Sequence, residues 1–595
     1  MSLSGDHQHV EAWRQIDKIT GRKARSQHVI NAESEEERVQ LWVSHFKKLL
    51  SPTVSPNTRK VVHNPVFPGV NLGFKTDLFT MDELRIAVSS LENGKAPGID
   101  GLINEILKLT DFHPILLEII NKAYVTKSVP LEWLMSVLIP VFKKGDSTAP
   151  NNYRGIALMC VCAKLYNKLL LNRLRAVLDK HLRINQNGFR QLWSTAQHVL
   201  TVRRIFESIK MTQGAKCVAI FVDFCKAFDS VSWSQIEAIL YAYGVPAELV
   251  LAIMSIYTGA KAGLRDMEGQ VGEDSSFNLS VGVLQGDTLA PYLFIIVLDF
   301  VLRSSMVDDC GILISKKSGT TRRGNPAMYL TDLDFADDIV LFGATIPKAQ
   351  KLLHNLEKMA LTVGLRINLN KTEYILVGEW GNRKQKSIRI QSGVLKRVED
   401  YKYLGSWLLN SQKDFEIRKD LAWKAIIKLF RVWKSNFISR EVKINLFRAT
   451  IESILLYNAT TWTMTQTLDK KLDGAYTKLL RYALNISWRD HVKNVDLYGD
   501  LPRISTRLRE RRLTFAAHCW RCSQSAYQPV HDLLFWSVPD GVARKGNFTT
   551  YIKVLLEDFG GEKIKKKDQA TAILQIKSAM ENRKEWKKTV KRICA

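Results

Sequence analysis

The spacing of hydrophobic positions changes along the chain, and each spacing predicts a different kind of structure. Between residues 34 and 94, apolar residues recur every three or four positions, as in helices with one buried face. Between residues 130 and 405, short apolar runs alternate with helical stretches, and from 411 to 485 the pattern is helical again. We therefore predict an α/β region that is flanked by helices.

Local signals begin and end the first two helices. Ser34 with Glu37, and Thr80 with Glu83, have the spacing of capping boxes, in which two side chains satisfy the first backbone N–H groups of a helix. The second helix is predicted to end at 93–94, an Asn-Gly pair.

Two short apolar runs, 217–222 and 339–342, predict strands that are buried on both faces. In the later helical region, four apolar residues lie four positions apart and predict one face of a helix. They are Ile417, Leu421, Ala425 and Leu429.

The charge of the chain narrows the range of partners. Its 595 residues include 86 Lys and Arg against 59 Asp and Glu, so the net charge is 86 − 59 = +27. Such a surplus indicates a polyanion, nucleic acid before membrane. No apolar run reaches the roughly 18 residues that a membrane-spanning helix needs. The N-terminus has no apolar core of a secretion signal. Eight Cys in a chain of this length are too few for a disulfide scaffold. We expect an intracellular protein that is not secreted and acts in the nucleus with a cytoplasmic phase.

The candidate chemistry centres on three aspartates at strand ends. Asp337 and Asp338 lie between apolar runs, and Asp223 follows the run 217–222. A plain hairpin turn is the alternative, but such turns favour Asn-Gly or Asp-Gly, and neighbouring carboxylates repel each other without a cation. Carboxylate oxygens suit Mg²⁺, and two such ions support phosphoryl transfer. We assigned the nearby Asp229, Asp332 and Asp334 structural roles.

These residues lie in segments that resemble the reverse transcriptases of non-LTR (LINE-type) retrotransposons. Seven segments come in that family's order: 93–102 and 139–158 resemble its fingers, 221–231, 282–291, 333–342 and 364–373 resemble its four palm motifs, and 401–405 resembles its primer grip. One departure is Ala290, where the family usually has Ser or Cys. The resemblance covers residues 13 to 536.

The resemblance implies an α/β (α+β) right-hand polymerase with fingers and palm, an antiparallel palm sheet, a helical thumb and a mainly helical C-terminal region. We expect an N-terminal helical extension at 1–60, fingers and palm at 61–410, the thumb at 411–470 and a basic C-terminal region at 471–595.

Many relatives carry an endonuclease domain before the fingers. Only about 60 residues precede them here, fewer than an ordinary domain needs, so we expect this chain to lack that domain and not to nick DNA.

The resemblance also implies roles for individual residues. Asp223, Asp337 and Asp338 would hold two Mg²⁺ ions, with the backbone oxygen of Phe224 as a further ligand. Phe228 would exclude a 2′-hydroxyl and so select deoxynucleotides; the alternative is a core Phe.

Further positions are expected to bind the substrates. Gln285 and Gly286 would contact the nucleotide and template. Candidates for the triphosphate are Lys143, Lys144 and Arg154, each of which is alternatively a solvated surface charge, and Lys371 would protonate the departing pyrophosphate. Tyr403, Leu404 and Gly405 would form the primer grip.

The C-terminal region holds two further candidate features. Cys519 and Cys522 lie near His518, His531 and His491, but a structural zinc site needs four regularly spaced ligands and no further Cys follows at the expected distance, so we expect no zinc site there. An arginine-rich helix predicts either a grip on nucleic-acid backbone or a solvated face. Its arginines are Arg503, Arg507, Arg509, Arg511 and Arg512. After residue 540, 14 Lys and Arg face 6 Asp and Glu, a surplus of 14 − 6 = +8 that resembles an interaction tail.

The predicted function is an RNA-directed DNA polymerase that extends a primer 3′-hydroxyl on an RNA template, with DNA primer or target and dNTPs as partners. The alternatives are a retrotransposon-derived nucleic-acid-binding protein without polymerase activity and a polymerase that acts mainly on DNA templates. The sequence does not indicate an oligomeric state.

Overall fold

A computed structural model describes residues 32, 34–52, 63–190, 193–266, 271–316, 326–381, 387–522, 529–546, 548–561 and 568–594. The helices are α1 (Glu35–Leu50), α2 (Met81–Ser89), α3 (Asn104–Leu107), α4 (His113–Thr126), α5 (Leu131–Leu134), α6 (Val161–Leu178), α7 (Thr195–Lys210), α8 (Ala227–Ser230), α9 (Trp233–Ala242), α10 (Ala247–Tyr257), α11 (Ala290–Ser305), α12 (Ile346–Thr362), α13 (Ser411–Lys428), α14 (Phe430–Lys434), α15 (Arg440–Phe447), α16 (Ser453–Leu455), α17 (Gln466–Ala483), α18 (Asn494–Tyr498), α19 (Ile504–Arg521), α20 (Pro529–Leu534), α21 (Tyr551–Gly560), α22 (Gln569–Glu581) and α23 (Arg583–Cys594). The strands are β1 (Met135–Phe142), β2 (Tyr153–Met159), β3 (Lys216–Val222), β4 (Lys261–Gly263), β5 (Ser276–Asn278), β6 (Ile312–Ser315), β7 (Met328–Leu330), β8 (Asp332–Phe335), β9 (Asp338–Gly343), β10 (Glu373–Gly378), β11 (Arg389–Ile390), β12 (Gly393–Val394), β13 (Lys396–Arg397), β14 (Lys402–Tyr403) and β15 (Ser406–Trp407).

A five-stranded sheet in the order β13-β10-β3-β9-β8 forms the palm. The strands β10, β3, β9 and β8 pair antiparallel, and β13 joins the edge in parallel. Every residue of β3 after Lys216 is buried, because helices cover one face of the sheet, and α7, the C-terminal region and the 401–408 segment cover the other. The two predicted buried strands are confirmed, and the central strand places its end at one edge of the sheet.

A second sheet, in the order β2-β1-β4-β5, forms the fingers, and α1 packs on it. The Ser34 hydroxyl accepts from the Glu37 N–H at 3.1 Å, as its spacing predicts. Trp42 stacks on Phe46 and meets the ring of Tyr153 edge-on. These contacts bury the apolar face of α1 against the fingers.

The capping box predicted for α2 is present, since the Thr80 and Glu83 side chains bond to each other's backbone N–H groups. The predicted end of this helix is wrong, because α2 ends at Ser89 rather than at 93–94. The hydroxyls of Ser89 and Ser90 bond back to carbonyls of the last turn at 2.8 and 2.7 Å, and such bonds compete with continuation of a helix.

The helices α13 to α18 surround a separate hydrophobic core, which forms the thumb. The helix that the four-residue spacing predicts is present as α13, from which Phe415, Ala422 and Ile426 face this core, whereas Leu421 is exposed. The predicted boundary at 470 lies inside α17, and the core continues to Leu508. The hydrophobic core that begins in the predicted thumb therefore continues past residue 470, and the domain bounds stay a prediction.

Helices α19 to α23 share another core, to which Leu200 of the palm helix α7 contributes. The fold class predicted from the sequence is confirmed: a mixed α/β right-hand arrangement with a helical C-terminal region. Among the residues that the structure describes, no helix combines the length and apolarity that crossing a membrane requires.

Candidate active site

The turn between β8 and β9 carries two of the three candidate aspartates. Phe335 pairs with Asp338, so Ala336 and Asp337 form a two-residue hairpin turn. Ala336 has a φ of 55°, in the left-handed region that favours glycine. The argument from the sequence against a hairpin turn was wrong, since the acidic pair sits on a tight hairpin.

Asp223 lies next to this turn because it follows the neighbouring strand. The register pairs Val222 with Ile339, so Asp223 comes beside Asp338. The fourth palm motif holds its backbone: the Asn368 N–H donates to the Asp223 carbonyl at 2.8 Å, and the Asp223 N–H donates to the Thr372 hydroxyl at 3.2 Å. Three distant segments thus bring the three candidate carboxylates together.

The carboxylates of this edge are held in an environment that disfavours their charge. Desolvation, opposed by nearby cations, raises the pKa of Asp337. Desolvation and the like charges of Asp337 and Asp223 raise the pKa of Asp338 to about 6. Carboxylates with raised pKa values at an accessible surface are typical of functional sites.

Several cations face these acids. The Lys371 Nζ lies 3.2 Å from Asp223 Oδ2, and the charges of Arg154 and Lys371 act on Asp337. Desolvation and the charge of Arg154, together with those of Lys371 and Lys226, lower the pKa of Lys143. Lys143, one residue after β1, and Arg154, on the paired strand β2, are both exposed. The predicted triphosphate residues Lys143 and Arg154 therefore belong to one positive cluster.

Lys226 belongs to the same cluster and was missed by the sequence analysis. It lies three residues after Asp223 and its Nζ reaches Asn151 Oδ1 at 3.2 Å. Its position inside the first palm motif was the available signal. Lys144 is exposed beside Lys143, but the electrostatic contacts that unite the cluster do not involve it.

The donor set suits a hard divalent cation, because carboxylate oxygens are the ligands that Mg²⁺ prefers. In the described part of the chain, however, no three His, Cys, Asp or Glu side chains are arranged around a common point as they stand. Asp223 faces Lys371 instead. Holding a metal ion between the three aspartates therefore requires side-chain rotation, while their backbone positions are already adjacent.

Gln186 holds the acidic turn from behind and was also missed. Its side-chain oxygen accepts from the N–H groups of Ala336 and Gly188 at 2.8 and 2.7 Å, and its amide donates to the Ala336 carbonyl at 3.3 Å. A Cβ on Gly188 would lie 2.2 Å from the Ala336 nitrogen, so only glycine fits there. Because Gln186 is 150 residues from the turn, its spacing gave no signal.

A second acidic pair on the same hairpin has its charge neutralised. Arg183 bonds both oxygens of Asp332 at 2.7 Å and reaches Asp334 at 3.3 Å. Burial acts to raise the pKa of Asp332, but the charge of Arg183 outweighs it and lowers that pKa. Burial and the charge of Asp332 raise the pKa of Asp334. The two acids and one arginine form a buried ion-pair network.

The aromatic and glycine residues of the predicted nucleotide site have partners within the protein. The half-buried Phe228 ring stacks on Phe294 with centroids 4.4 Å apart. Gly286 has a φ of 124°, and a Cβ there would lie 2.3 Å from the Ala157 carbonyl oxygen. The Gln285 carbonyl accepts from the Ala157 N–H at 2.6 Å. The close approach expected of Gly286 is therefore to strand β2.

The predicted primer grip is a two-residue turn between β14 and β15. Leu404 and Gly405 both have positive φ, as this kind of turn requires. The thumb fixes the turn, since Arg418 bonds the Gly405 carbonyl and the Tyr457 hydroxyl donates to the Leu404 carbonyl at 3.2 Å. The ring of Tyr403 is buried, so of the predicted residues only Leu404 and Gly405 present surface to a primer.

Three arginines of the arginine-rich helix α19 form ion pairs within the fold. Arg507 and Arg511 contact the buried Glu452 at 2.8 and 3.2 Å, and Arg512 contacts Asp558 at 2.7 Å. Arg507 and Arg512 are therefore used in internal ion pairs, whereas Arg503 and Arg511 are exposed, so the two alternatives considered for this helix stay open.

The candidate zinc ligands Cys519, Cys522 and His518 lie at the end of α19, and His531 lies in α20. The Cys522 Sγ lies 4.0 Å from the His518 Nε2. His531 faces the Trp520 carbonyl oxygen at 2.5 Å.

Known proteins resemble the chain over this same region. Residues 141–408 match the family described as reverse transcriptase (RNA-dependent DNA polymerase). The Pol polyprotein of retrotransposable element R2DM from Drosophila melanogaster is 28% identical over 336 residues, 55% of this chain and 30% of that protein. The R2 Pol polyprotein from Popillia japonica is 25% identical over 336 residues, 54% of this chain and 44% of that protein.

A longer match is the RNA-directed DNA polymerase from mobile element jockey of Drosophila funebris. It is 22% identical over 500 residues, which are 80% of this chain and 51% of that protein. Across these three relatives, the chain spans between 30% and 51% of their length.

Proposed function

We propose that the chain acts as an RNA-directed DNA polymerase, since residues 141–408 match the reverse transcriptase family and the similar proteins include Pol polyproteins and a polymerase of retrotransposable elements. The observation that carries this proposal is the edge of the palm sheet, where β3 and the β8–β9 turn bring Asp223 beside Asp337 and Asp338. A primer 3′-hydroxyl would be extended there on an RNA template, with dNTPs as substrates.

The reverse transcriptase family uses divalent metal ions, and the three aspartates would hold two Mg²⁺ ions, with the Phe224 carbonyl as a further ligand. Such a pair of ions activates the attacking hydroxyl and stabilises the leaving oxygen. The Asn368 and Thr372 contacts keep Asp223 at the strand end, and the Gln186 contacts keep the acidic turn in register with it. The protein contributes mostly by positioning and charge neutralisation.

The cation cluster would bind the triphosphate. Lys143, Arg154 and Lys226 face the acids, and clamping phosphate oxygens would relieve their mutual repulsion. Lys371 is paired with Asp223 and would be released toward the departing pyrophosphate when that carboxylate turns to a metal ion. Phe228, stacked on Phe294, would lie under the incoming sugar and exclude a 2′-hydroxyl.

The experiment is primer extension by the purified chain in Mg²⁺, on RNA and on DNA templates of the same sequence. We expect dNTP-dependent extension on the RNA template and its loss in Asp337→Asn. Extension on the DNA template alone would support a DNA-templated polymerase. Nucleic-acid binding without extension on either template would support the alternative, a retrotransposon-derived binding protein.

Sugar selection is tested separately with Phe228→Ala, by the ratio of rNTP to dNTP incorporation. A rise in this ratio is expected, because the smaller side chain leaves room for the 2′-hydroxyl. An unchanged ratio would mean that Phe228 only packs against Phe294.

A further inference from the structure

The helix α23 divides into a buried side and an exposed side. Trp586 and Val590 are buried against the neighbouring helices. The Trp586 indole N–H donates to the Leu513 carbonyl at 3.2 Å, and its ring stacks on Phe559 with centroids 5.7 Å apart. These contacts fix the rotation of α23 about its own axis.

The exposed side of α23 is almost wholly basic. We define the C-terminal basic face by six exposed residues of this helix. They are Arg583, Lys584, Lys587, Lys588, Lys591 and Arg592. Glu585 is the one acid of the helix, and its Oε1 lies 3.0 Å from the Lys588 Nζ. Six basic residues and one acid give α23 a net charge of 6 − 1 = +5.

The positive charge of this face extends onto the end of α19. Burial and the charge of Arg583 lower the pKa of Arg521, which bonds the Met580 carbonyl at 2.6 Å. Burial and the charges of Arg521 and Arg583 lower the pKa of His518. Arg521 therefore places a further positive charge beside Arg583, next to the C-terminal basic face.

The arrangement of the basic residues fits a row of phosphates. Arg583, Lys587 and Lys591 form one line at intervals of four residues, and Lys584, Lys588 and Arg592 form a second. At 3.6 residues per turn the six lie within roughly half of the helix circumference, and at about 1.5 Å per residue they extend over ~13 Å. Double-stranded nucleic acid presents one charge per roughly 1.7 Å of its axis, so several phosphates lie within that length.

We propose that the C-terminal basic face binds double-stranded nucleic acid through its phosphate backbone, at a site separate from the palm edge that holds Asp223, Asp337 and Asp338. Its charge matches a polyanion, and its helix packs mainly on α19 and α22. A membrane surface fits less well, because an interfacial helix inserts an apolar face, and here Trp586 and Val590 are already buried in the protein.

The first test is lysine acetylation footprinting of the full chain with mass spectrometry. Blunt duplex DNA, blunt duplex RNA and anionic phospholipid vesicles are the three probes. We expect either duplex to protect Lys587, Lys588 and Lys591, and not Lys351, which is exposed on α12. Protection by one duplex alone would identify which nucleic acid the face prefers. Absence of protection by both duplexes, or protection by vesicles alone, would overturn the proposal.

The second test measures the salt dependence of duplex binding in a variant that loses four charges of the face. Its substitutions are Lys587→Gln, Lys588→Gln, Lys591→Gln and Arg592→Gln. The matched control loses four exposed lysines elsewhere, through Lys122→Gln, Lys180→Gln, Lys351→Gln and Lys358→Gln. Both variants have the same net charge, so a general charge effect would be equal in them.

We expect the slope of log K against log salt to flatten by about 2 to 4 in the variant of the face, since each lost contact removes roughly 0.9. The control should change by less than about one. Equal slopes in the two variants would overturn the proposal. Both tests are repeated in Asp337→Asn, where polymerase activity is absent, so their outcome does not depend on the proposed function.

Discussion

Two pairs of aspartates lie on the same hairpin of the palm and differ in their burial and in the charged groups around them. Asp332 and Asp334 point into the protein, are fully buried and share Arg183. Asp337 and Asp338 lie at the accessible turn, four or five residues further along, with neighbours that include the acid Asp223. The inner pair shares one buried arginine, whereas the outer pair lies at the surface beside a third acid, with the charges of Lys371 and Arg154 nearby.

The contrast shows what separates a structural carboxylate from a functional one. A buried acid without a partner would destabilise the fold, so the inner pair has a fixed arginine. Repulsion acts in both pairs, but in the outer pair no arginine is fixed between the acids, and burial with the charges of Asp337 and Asp223 raises the pKa of Asp338 to about 6. A divalent cation would remove that repulsion, and this is the physical reason to place catalysis at the turn.

The largest expected effect comes from removing one charge of the outer pair. Asp337→Asn should reduce primer extension by about three orders of magnitude or more, because a lost metal ligand costs several kcal/mol of transition-state stabilisation. Urea denaturation should show a stability close to that of the parent protein. The matched control is Asp334→Asn, which should retain extension within roughly tenfold. Similar losses in both variants would erase the distinction between the pairs.

The next effect comes from the inner pair. Arg183→Met should lower the free energy of unfolding by about 3–5 kcal/mol, because it leaves Asp332 and Asp334 buried without their cation. The midpoint and slope of urea denaturation measure this change. A loss below about 1 kcal/mol would mean that the inner pair does not depend on Arg183.

A smaller effect is expected from Gln186, whose side chain holds the turn that carries the outer acidic pair. Gln186→Met keeps the volume of the side chain but removes its three hydrogen bonds to Ala336 and Gly188, so the acidic turn should shift. We expect kcat to fall by about 10- to 100-fold with a smaller change in the KM for dNTP.

The control for this variant is Gln197→Met, because Gln197 is equally buried and caps α7 through Ser194. It should lose comparable stability and keep kcat. If both variants lowered kcat alike, Gln186 would be a structural residue and not a positioning residue.

The smallest effect concerns the pH dependence of the inner pair. Burial and Asp332 raise the pKa of Asp334 above its ordinary 3.8, so the folded state holds a proton that the unfolded state has released. The stability of the parent protein should therefore fall as pH rises above about 4, up to the folded pKa. Asp334→Asn removes this titration, so the variant should gain stability relative to the parent between pH 5 and pH 8. Urea midpoints at these two pH values measure it, and a constant difference would contradict the assignment.

Much of the fold followed from the sequence because its signals are local. The caps at Ser34 and Thr80 and the buried strands β3 and β9 each lie within one short stretch. The spacing also predicted the helix α13, but Leu421 and Ala422 are both apolar, and only the packing of this region decides that Ala422 is the buried one.

The site was predictable only in part, for a related reason. The three aspartates lie in ordered motifs, but the residues that hold them come from elsewhere in the chain. Gln186 reaches the turn across 150 residues, and Arg183 reaches Asp332 across 149. The charges of Arg507 and Arg511 suggested a surface, yet the buried Glu452 binds them both. Pairing over such distances is a property of the folded chain.

The most direct test of the central claim is Mn²⁺ binding, followed by electron paramagnetic resonance, with a primer–template and dNTP present. Mn²⁺ accepts the same oxygen ligands as Mg²⁺ and is visible to this method. We predict about two bound ions in the parent protein and in Asp334→Asn, and fewer in Asp337→Asn. Unchanged binding in Asp337→Asn, or its loss in Asp334→Asn, would contradict the assignment of the metal site to the outer pair.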